Sequence, residues 1–352
     1  MGGNALKNCE THRLDAEDYI ELCMRVCYLL HETFPGRELA EIPAYDNKVD
    51  FGDLDIIITS EVVNGIEVTA ELITKVFQSK EVVRNGDVFS FEFEGFQVDL
   101  ILMPSWLFNV SYNYYSFNDL GNLMGRIAHK MGFRYGHAGL TYQLRTSDDH
   151  VSADITLSVN SADIFKFLGY SWERFMEGFN ELDEVFEFAA STPFFNKQIY
   201  LLENRNAVSR VRDKKRKTYS TFLLWLQEQK GLTEYPWPSF EERGGRKDSV
   251  EHLQRAFEAF PEFLDEYQAA VLHVQRRNEF KKLYNGDLVR EWTGLSDVDL
   301  GDFMKFNSNF GNTTLDGSLQ AFLTRVCVSA QSIKEFTLCQ FSIYQGFRTG
   351  PK

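Results

Sequence analysis

Cysteine is scarce and scattered in this chain of 352 residues: Cys9, Cys23, Cys27, Cys327 and Cys339, with no Cys-x-x-Cys pair. An odd, unpaired set excludes a disulfide framework and speaks against a zinc site. The thiols read as reduced and mostly buried, in a cytoplasmic protein. No apolar run reaches the length of a membrane span, and the first residues hold no apolar signal core, so no membrane partner is expected. Met1-Gly2 does not read as a myristoylation signal, because Leu6 stands where Ser or Thr is required. There is no internal repeat and no low-complexity tract. Positive charge is also short: 37 Lys and Arg face 51 Asp and Glu, a net charge of −14. A basic face gripping long duplex nucleic acid is therefore excluded as a global feature, and any such contact must be local. What is present is a core: 43% hydrophobic residues, 14% aromatic, and 31 phenylalanines. That length and composition suit two folded domains.

Two acidic strands carry the chemistry. Val49-Asp-Phe-Gly-Asp-Leu-Asp-Ile-Ile-Ile58 and Phe96-Gln-Val-Asp-Leu-Ile-Leu-Met103 are short apolar runs bounded by Gly, Asp and Pro, the pattern of strands. Residues i and i+2 of a strand point to one side, so Asp53 and Asp55 project together. An adjacent strand can add Asp99. Ile56, Ile57 and Ile58 follow without alternation, which predicts burial on both faces. Unpaired carboxylates there would be costly. Three converging carboxylates call for a cation, and hard oxygen ligands suit Mg²⁺. Two such ions serve phosphoryl or nucleotidyl transfer, with Mn²⁺ as a substitute.

Gly52-Asp-Leu-Asp-Ile-Ile-Ile58 followed by Val98-Asp-Leu-Ile101 resembles the DNA polymerase β-like nucleotidyltransferase superfamily. Tyr114-Tyr-Ser-Phe-Asn-Asp119, then Asn122, Arg126, Ala128 and Gly132-Phe133, is similar to a family X polymerase segment. Leu140-Thr-Tyr-Gln-Leu-Arg145 and Ser161-Ala-Asp-Ile-Phe-Lys-Phe-Leu-Gly169 continue it in order. The likeness runs from about Pro43 to Arg174, a little over a third of the chain. It implies an α+β fold: a nucleotidyltransferase palm with a mixed β-sheet and flanking helices. It further implies that Tyr114 and Tyr115 stand near the nucleotide sugar, and that Asn122 and Arg126 reach a base edge or a primer–template. Gly52 and Lys48, beside the acids, are candidate nucleotide contacts, Lys48 by neutralising triphosphate charge. The chain departs from the superfamily in two places. The Gly-Gly or Gly-Ser pair usual some ten residues before the first metal Asp is missing from Ile42-Pro-Ala-Tyr-Asp-Asn-Lys48. Gly2-Gly3-Asn4 either supplies that turn from a distance or is a free terminus. Too few residues precede Asp53 for the N-terminal DNA-binding module of family X.

Helical periodicity over Asp15–Phe34 puts Tyr19, Ile20, Cys23, Val26, Cys27 and Leu30 on one face. Further helices are predicted at 67–79, 118–131 and 161–179, and a hairpin at 89–103 turning at Glu94-Gly95. From about Asn180 long helical patterns take over, punctuated by Pro236-Trp-Pro and Gly244-Gly245. The expected layout is a palm-like catalytic domain over 1–145, a thumb-like helical extension over 146–180, and a mainly helical C-terminal domain over 181–352. Within the last lies the concentrated basic stretch: Arg205, Arg210, Arg212, Lys214, Lys215, Arg216 and Lys217, with Asp213 the single acid among them. Tyr200, Tyr219 and Phe222 flank it. It reads as a phosphate-backbone footprint for a nucleic-acid acceptor, against the commoner reading of a solvated helix face. Arg276, Arg277, Lys281 and Lys282 form a sparser cluster. His129 and His137 lack ligand partners at useful spacing and read as structural or surface residues.

The expected activity is Mg²⁺-dependent transfer of a nucleoside monophosphate from a nucleoside triphosphate, ATP included, to an acceptor hydroxyl. A nucleic-acid 3′-OH, an RNA or tRNA end before duplex DNA, is the favoured acceptor. Two alternatives stay open at this stage: modification of a protein or small molecule, and a catalytically inactive nucleic-acid-binding scaffold.

Overall fold

A computed structural model of the chain describes residues 5–145, 150–232, 234–239, 242, 250–311 and 330–349. Gly2-Gly3-Asn4, Gly244-Gly245 and Cys327 lie outside the described residues. Asp15 caps the first helix, α1 (Ala16–Thr33), by accepting from the Asp18 amide at 3.0 Å. This helix buries Tyr19, Leu22, Cys23, Val26 and Leu30. Ile20, expected on that face, is 57% exposed. It sits one residue, about 100° of helix, round from Tyr19, and Leu22 takes the buried place instead.

A mixed five-stranded sheet follows, built from β1 (Leu39–Glu41), β2 (Leu54–Thr59), β3 (Val82–Asn85), β4 (Val88–Phe93) and β5 (Phe96–Met103), with α2 (Ala70–Phe77) between β2 and β3. The spatial order is β1-β2-β5-β4-β3. Only β2 and β5 are parallel; the other neighbours are antiparallel. A parallel pair needs a crossover, which α2, β3 and β4 supply. Ile56, Ile57 and Ile58 are fully buried because both faces are covered. Leu54, Ile56 and Ile58 pack with side chains of α1 and α2. Ile57 and Ile101 pack with Phe108 of α3 (Phe108–Tyr115) on the other face. Each such buried side chain contributes about 1.5–3 kcal/mol. β4 and β5 meet at the expected two-residue turn, where Glu94 and Gly95 adopt φ 51° and 77°. Positive φ at both positions is the type I′ geometry that matches strand twist.

Beyond α4 (Leu120–Met131), a second antiparallel sheet has the order β6 (Phe133–Gly136), β7 (Gly139–Arg145) and β8 (Val151–Ser158). This corrects the expected layout in two ways. The sheet does not end near Arg145, and the 146–180 extension is not all helix, because β8 pairs with β7 across that boundary. Five α-helices follow in this part of the chain: α5 (Ser161–Leu168), α6 (Trp172–Met176), α7 (Leu182–Ala190), α8 (Ala207–Lys214) and α9 (Lys217–Glu228). The expected break at 180/181 is absent. Tyr200 is fully buried and donates its hydroxyl to the Leu123 carbonyl of α4 at 3.2 Å, and Phe186 of α7 packs on Phe222 of α9.

The chain divides instead into compact units Met1–Leu264 and Asp265–Lys352. The first also holds α10 (Val250–Ala259) and the start of α11 (Pro261–Leu283). The second contains α12 (Gly286–Thr293), α13 (Asp297–Gly311) and α14 (Ala330–Thr349), with a core of Tyr284, Val289, Leu300, Phe303, Ile333 and Tyr344. Arg276, Arg277 and Lys282 are exposed on α11; the Lys281 side chain lies outside the described residues. Among the described residues no helix is long and apolar enough to cross a membrane.

Candidate metal centre

Strand parity makes this site. Asp53 immediately precedes β2, Asp55 is its second residue, and Asp99 lies within β5. The parallel register sets Asp55 opposite Asp99 and Ile57 opposite Ile101. Alternation puts all of them, with Asp53, on one face. Further along the strands that face is packed under Phe108. Toward the acids it opens into a cavity of about 490 Å³.

One carboxylate oxygen from each acid lies within 4.8 Å of the others. Burial first, then the charges of Asp53 and Asp99, push Asp55 up to about 8, with Lys48 opposing. Asp99 is pushed up to about 6 by burial and by Asp53, against hydrogen bonds from Ser90 and Gln97. Acids raised in this way are short of compensating positive charge. A divalent cation supplies it, and an all-carboxylate donor set matches a hard metal. The triad can therefore hold a metal ion, and among the described residues it is the cluster of His, Cys, Asp or Glu able to do so.

Asp99 is held from behind. Gln97, two residues earlier and 2% exposed, donates Nε2 to Asp99 Oδ1 at 2.9 Å. Its own Oε1 accepts from the Ala5 amide at 3.0 Å. Partners of this kind fix ligand orientation. Sequence reading missed Gln97, although its spacing of two from Asp99 carries the signal.

Lys48, Tyr114, Tyr115 and Asn122 all line the acidic cavity. The Lys48 ammonium sits 4.3 Å above the Phe51 ring. Burial lowers its pKa, and Asp53 and Asp55 counteract that. Tyr115 is pushed up to about 12 by burial, by Tyr114 and by Asp55. Its ring lies nearly parallel to His137, with centroids 6.2 Å apart. His137 is exposed, in keeping with its reading as a surface residue, and it also lines the cavity. It sits in the β6–β7 turn, where spacing gives no hint of what lies across the fold.

The chain reaches α4 from α3 through Phe117 and Asn118, at φ 57° and 63°. Positive φ is costly for a bulky residue. Phe117 is held there by packing edge-on against Phe175 and Phe179 and by donating its amide to the Pro43 carbonyl at 2.7 Å. The bend delivers Asn118 and Asp119 to the cavity. Gly121 is obligatory at the next turn, because a Cβ there would lie 2.1 Å from the Tyr114 carbonyl oxygen.

Two expected nucleotide contacts are elsewhere. Gly52 is buried beside the acids, outside the cavity lining. Arg126 turns away from the cavity and donates to both oxygens of Asp213, at 3.0 and 3.2 Å. Asp213 is fully buried and also receives Arg205 at 3.3 Å and Arg212 at 3.1 Å. A charge at that depth requires such partners.

The basic stretch is thus not one uniform footprint. Arg205 and Arg212 serve Asp213, and Arg210 donates to the Leu202 and Arg205 carbonyls. Lys214, Lys215 and Lys217 are exposed. Arg216, at the N-cap of α9, lines the acidic cavity and pairs with Asp119. Tyr200, Tyr219 and Phe222, the aromatic residues flanking the stretch, are fully buried core.

No protein-family model matches the chain, and no curated protein matches it.

Proposed function

We propose that this protein is a polymerase β-like nucleotidyltransferase. It would transfer a nucleoside monophosphate from a nucleoside triphosphate to an acceptor hydroxyl. The bond from the α-phosphorus to the departing pyrophosphate breaks, a bond to the acceptor oxygen forms, and the hydroxyl proton passes to solvent. The observation that carries this reading is the registered pair Asp55 and Asp99, with Asp53, opening into a cavity of about 490 Å³.

Asp53 and Asp55 would hold two Mg²⁺ ions, and Asp99 would complete the one on the acceptor side. Such ions, when bound, neutralise phosphate charge and lower the pKa of a bound hydroxyl. The protein's own groups orient and bind. Gln97 fixes the Asp99 carboxylate. Lys48 offsets phosphate charge beside Asp53 and Asp55. Tyr114 and Tyr115 form the wall for the sugar, and Asn122 offers an amide toward the base. Positioning and charge neutralisation suffice for this chemistry, so no side-chain nucleophile is required.

The acceptor we favour is a nucleic-acid 3′-OH, an RNA or tRNA end, contacted through Lys214, Lys215 and Lys217. A second reading, a protein or small-molecule acceptor, gains weight because Arg205, Arg210 and Arg212 are committed within the fold. Incubation with Mg²⁺, each labelled triphosphate and a whole-cell extract, then separated into RNA, protein and small-molecule fractions, tests both. Label in RNA that a chelator abolishes supports the first acceptor. Label in the protein or small-molecule fraction alone supports the second. No Mg²⁺-dependent label in any fraction overturns the proposal.

A further inference from the structure

Among the described residues, the cavity lining carries two full positive charges, Lys48 and Arg216. They reach it from opposite parts of the sequence. Lys48 lies in the segment leading into β2. Arg216 comes from the α8–α9 junction, outside the segment that resembles family X. Arg216 donates to the carboxylate of Asp119, and Asp119 lines the same cavity. The guanidinium of this pair is 38% exposed and its carboxylate 17%.

Two arginine–aspartate pairs fasten α8 and α9 to the α4 region, and they differ in kind. Arg126–Asp213 is 9% and 0% exposed, and there the carboxylate has two further arginine partners. Losing one member strands a buried charge. Arg216–Asp119 is wetter and stands at an open cavity. Ion pairs open to solvent hold more weakly than buried ones, so this carboxylate can be exchanged for another anion more readily than Asp213 could. Arginine binds phosphate through paired, charge-assisted hydrogen bonds, which are stronger than an exposed surface contact. Asp119 thus holds the guanidinium at the cavity without competing strongly for it.

We infer that Arg216 binds the β,γ-phosphate tail of the nucleotide, exchanging Asp119 for phosphate when the triphosphate enters. The inference rests on the nucleotidyltransferase reading and deepens it. It makes the α8–α9 segment part of the donor site, where the sequence alone assigns it to the acceptor. It also gives Asp119 a defined part, as the holder of Arg216 in the empty site.

Calorimetric titration tests this without turnover. The ligands are the α,β-methylene analogues of the four ribonucleoside triphosphates in Mg²⁺, and the corresponding monophosphates, which lack the tail. Arg216→Gln should weaken triphosphate-analogue binding by about 10- to 100-fold and leave monophosphate binding within about twofold. Arg216→Lys should fall between wild type and Arg216→Gln. Asp119→Asn removes the same ion pair from the other side, and the analogue should bind as tightly as to wild type or more tightly. Were the pair only a strut, both substitutions would act in the same direction. Equal weakening by Arg216→Gln and Asp119→Asn, or undiminished binding to Arg216→Gln, overturns the inference while leaving the nucleotidyltransferase reading intact. If Arg216→Gln does not fold, Asp119→Asn and Arg216→Lys decide by the same criterion. Failure of the wild-type protein to bind any of the four analogues overturns both readings together.

Discussion

Arg126 and Asp213, 87 positions apart, form an ion pair at 3.0 Å in which the carboxylate has no solvent exposure. The pair ties α4 to α8 and takes Arg126 out of the acidic cavity. Two more guanidinium groups, from Arg205 and Arg212, complete the carboxylate's surroundings. The most basic stretch of the chain is therefore organised around its one acid.

Breaking this pair from one side should be costly. Asp213→Ala would leave Arg126 buried and unpaired, and a loss of about 3–5 kcal/mol in unfolding free energy is expected. Replacing exposed Lys215 by Ala should change stability by less than about 0.5 kcal/mol. Urea denaturation of the two variants checks the contrast. Similar small losses in both would show that the cluster does not hold α8 in place.

Asp55 makes metal-free stability depend on pH. Its pKa in the folded chain is about 8, against the ordinary 3.8, so the folded state binds this proton more tightly than the unfolded state. The stability the proton provides is complete below pH 3.8 and is lost as pH rises through about 8. Asp55→Asn, which removes the charge but keeps the shape, should leave the chelator-treated Tm nearly unchanged near pH 4. At pH 9 it should raise Tm, by about 2–4 °C for each kcal/mol relieved. Added Mg²⁺ should raise the wild-type Tm at pH 9 and have little effect on the variant. Thermal melts across this range, with and without chelator, report the sign. A variant less stable than wild type at pH 9 in chelator would contradict the repulsion argument.

If the proposed activity is right, Asp99→Asn should slow chemistry much more than it weakens donor binding, because Asp99 serves the acceptor side. Single-turnover rate and Mg²⁺-dependent triphosphate affinity, measured on the same preparation, separate the two effects. Equal losses would remove the distinct role given to Asp99.

Lys214, Lys215 and Lys217 are the exposed members of the basic run. Changing all three to Gln should flatten the salt dependence of RNA binding, with the slope of log affinity against log salt falling by about one per lost phosphate contact. Triphosphate binding should hold, since Arg216 is untouched. An unchanged slope would make the run a solvated face and favour a protein or small-molecule acceptor.

The sequence disclosed the acids because three local rules agree there. Spacing of two puts Asp53 and Asp55 on one side, the isoleucine run marks burial, and Glu94-Gly95 marks the turn into the partner strand. The mixed sheet and most helices were legible for the same reason. β8 was legible too, since Val151, Ala153, Ile155 and Leu157 alternate, but the expectation of a helical extension hid it. Arg126 and Arg216 were not legible. Whether a guanidinium meets a cavity or a buried carboxylate depends on how α8 and α9 dock on α4, and no local period encodes that. Phe117 is a further case: its left-handed backbone is fixed by Phe175 and Phe179, about sixty positions away.

The parallel pairing of β2 with β5 also orders events during synthesis. Asp55 leaves the ribosome 44 residues before Asp99, and the crossover through α2, β3 and β4 must be complete before the two strands meet. Non-local closure of this kind is a late step. The same closure that buries Ile57 beside Ile101 brings Asp55 opposite Asp99, so core burial and the repulsion among the carboxylates arrive together. A cation can join only once that framework stands, so on this order of assembly the ion arrives as a tenant of a finished fold, with no part in nucleating it.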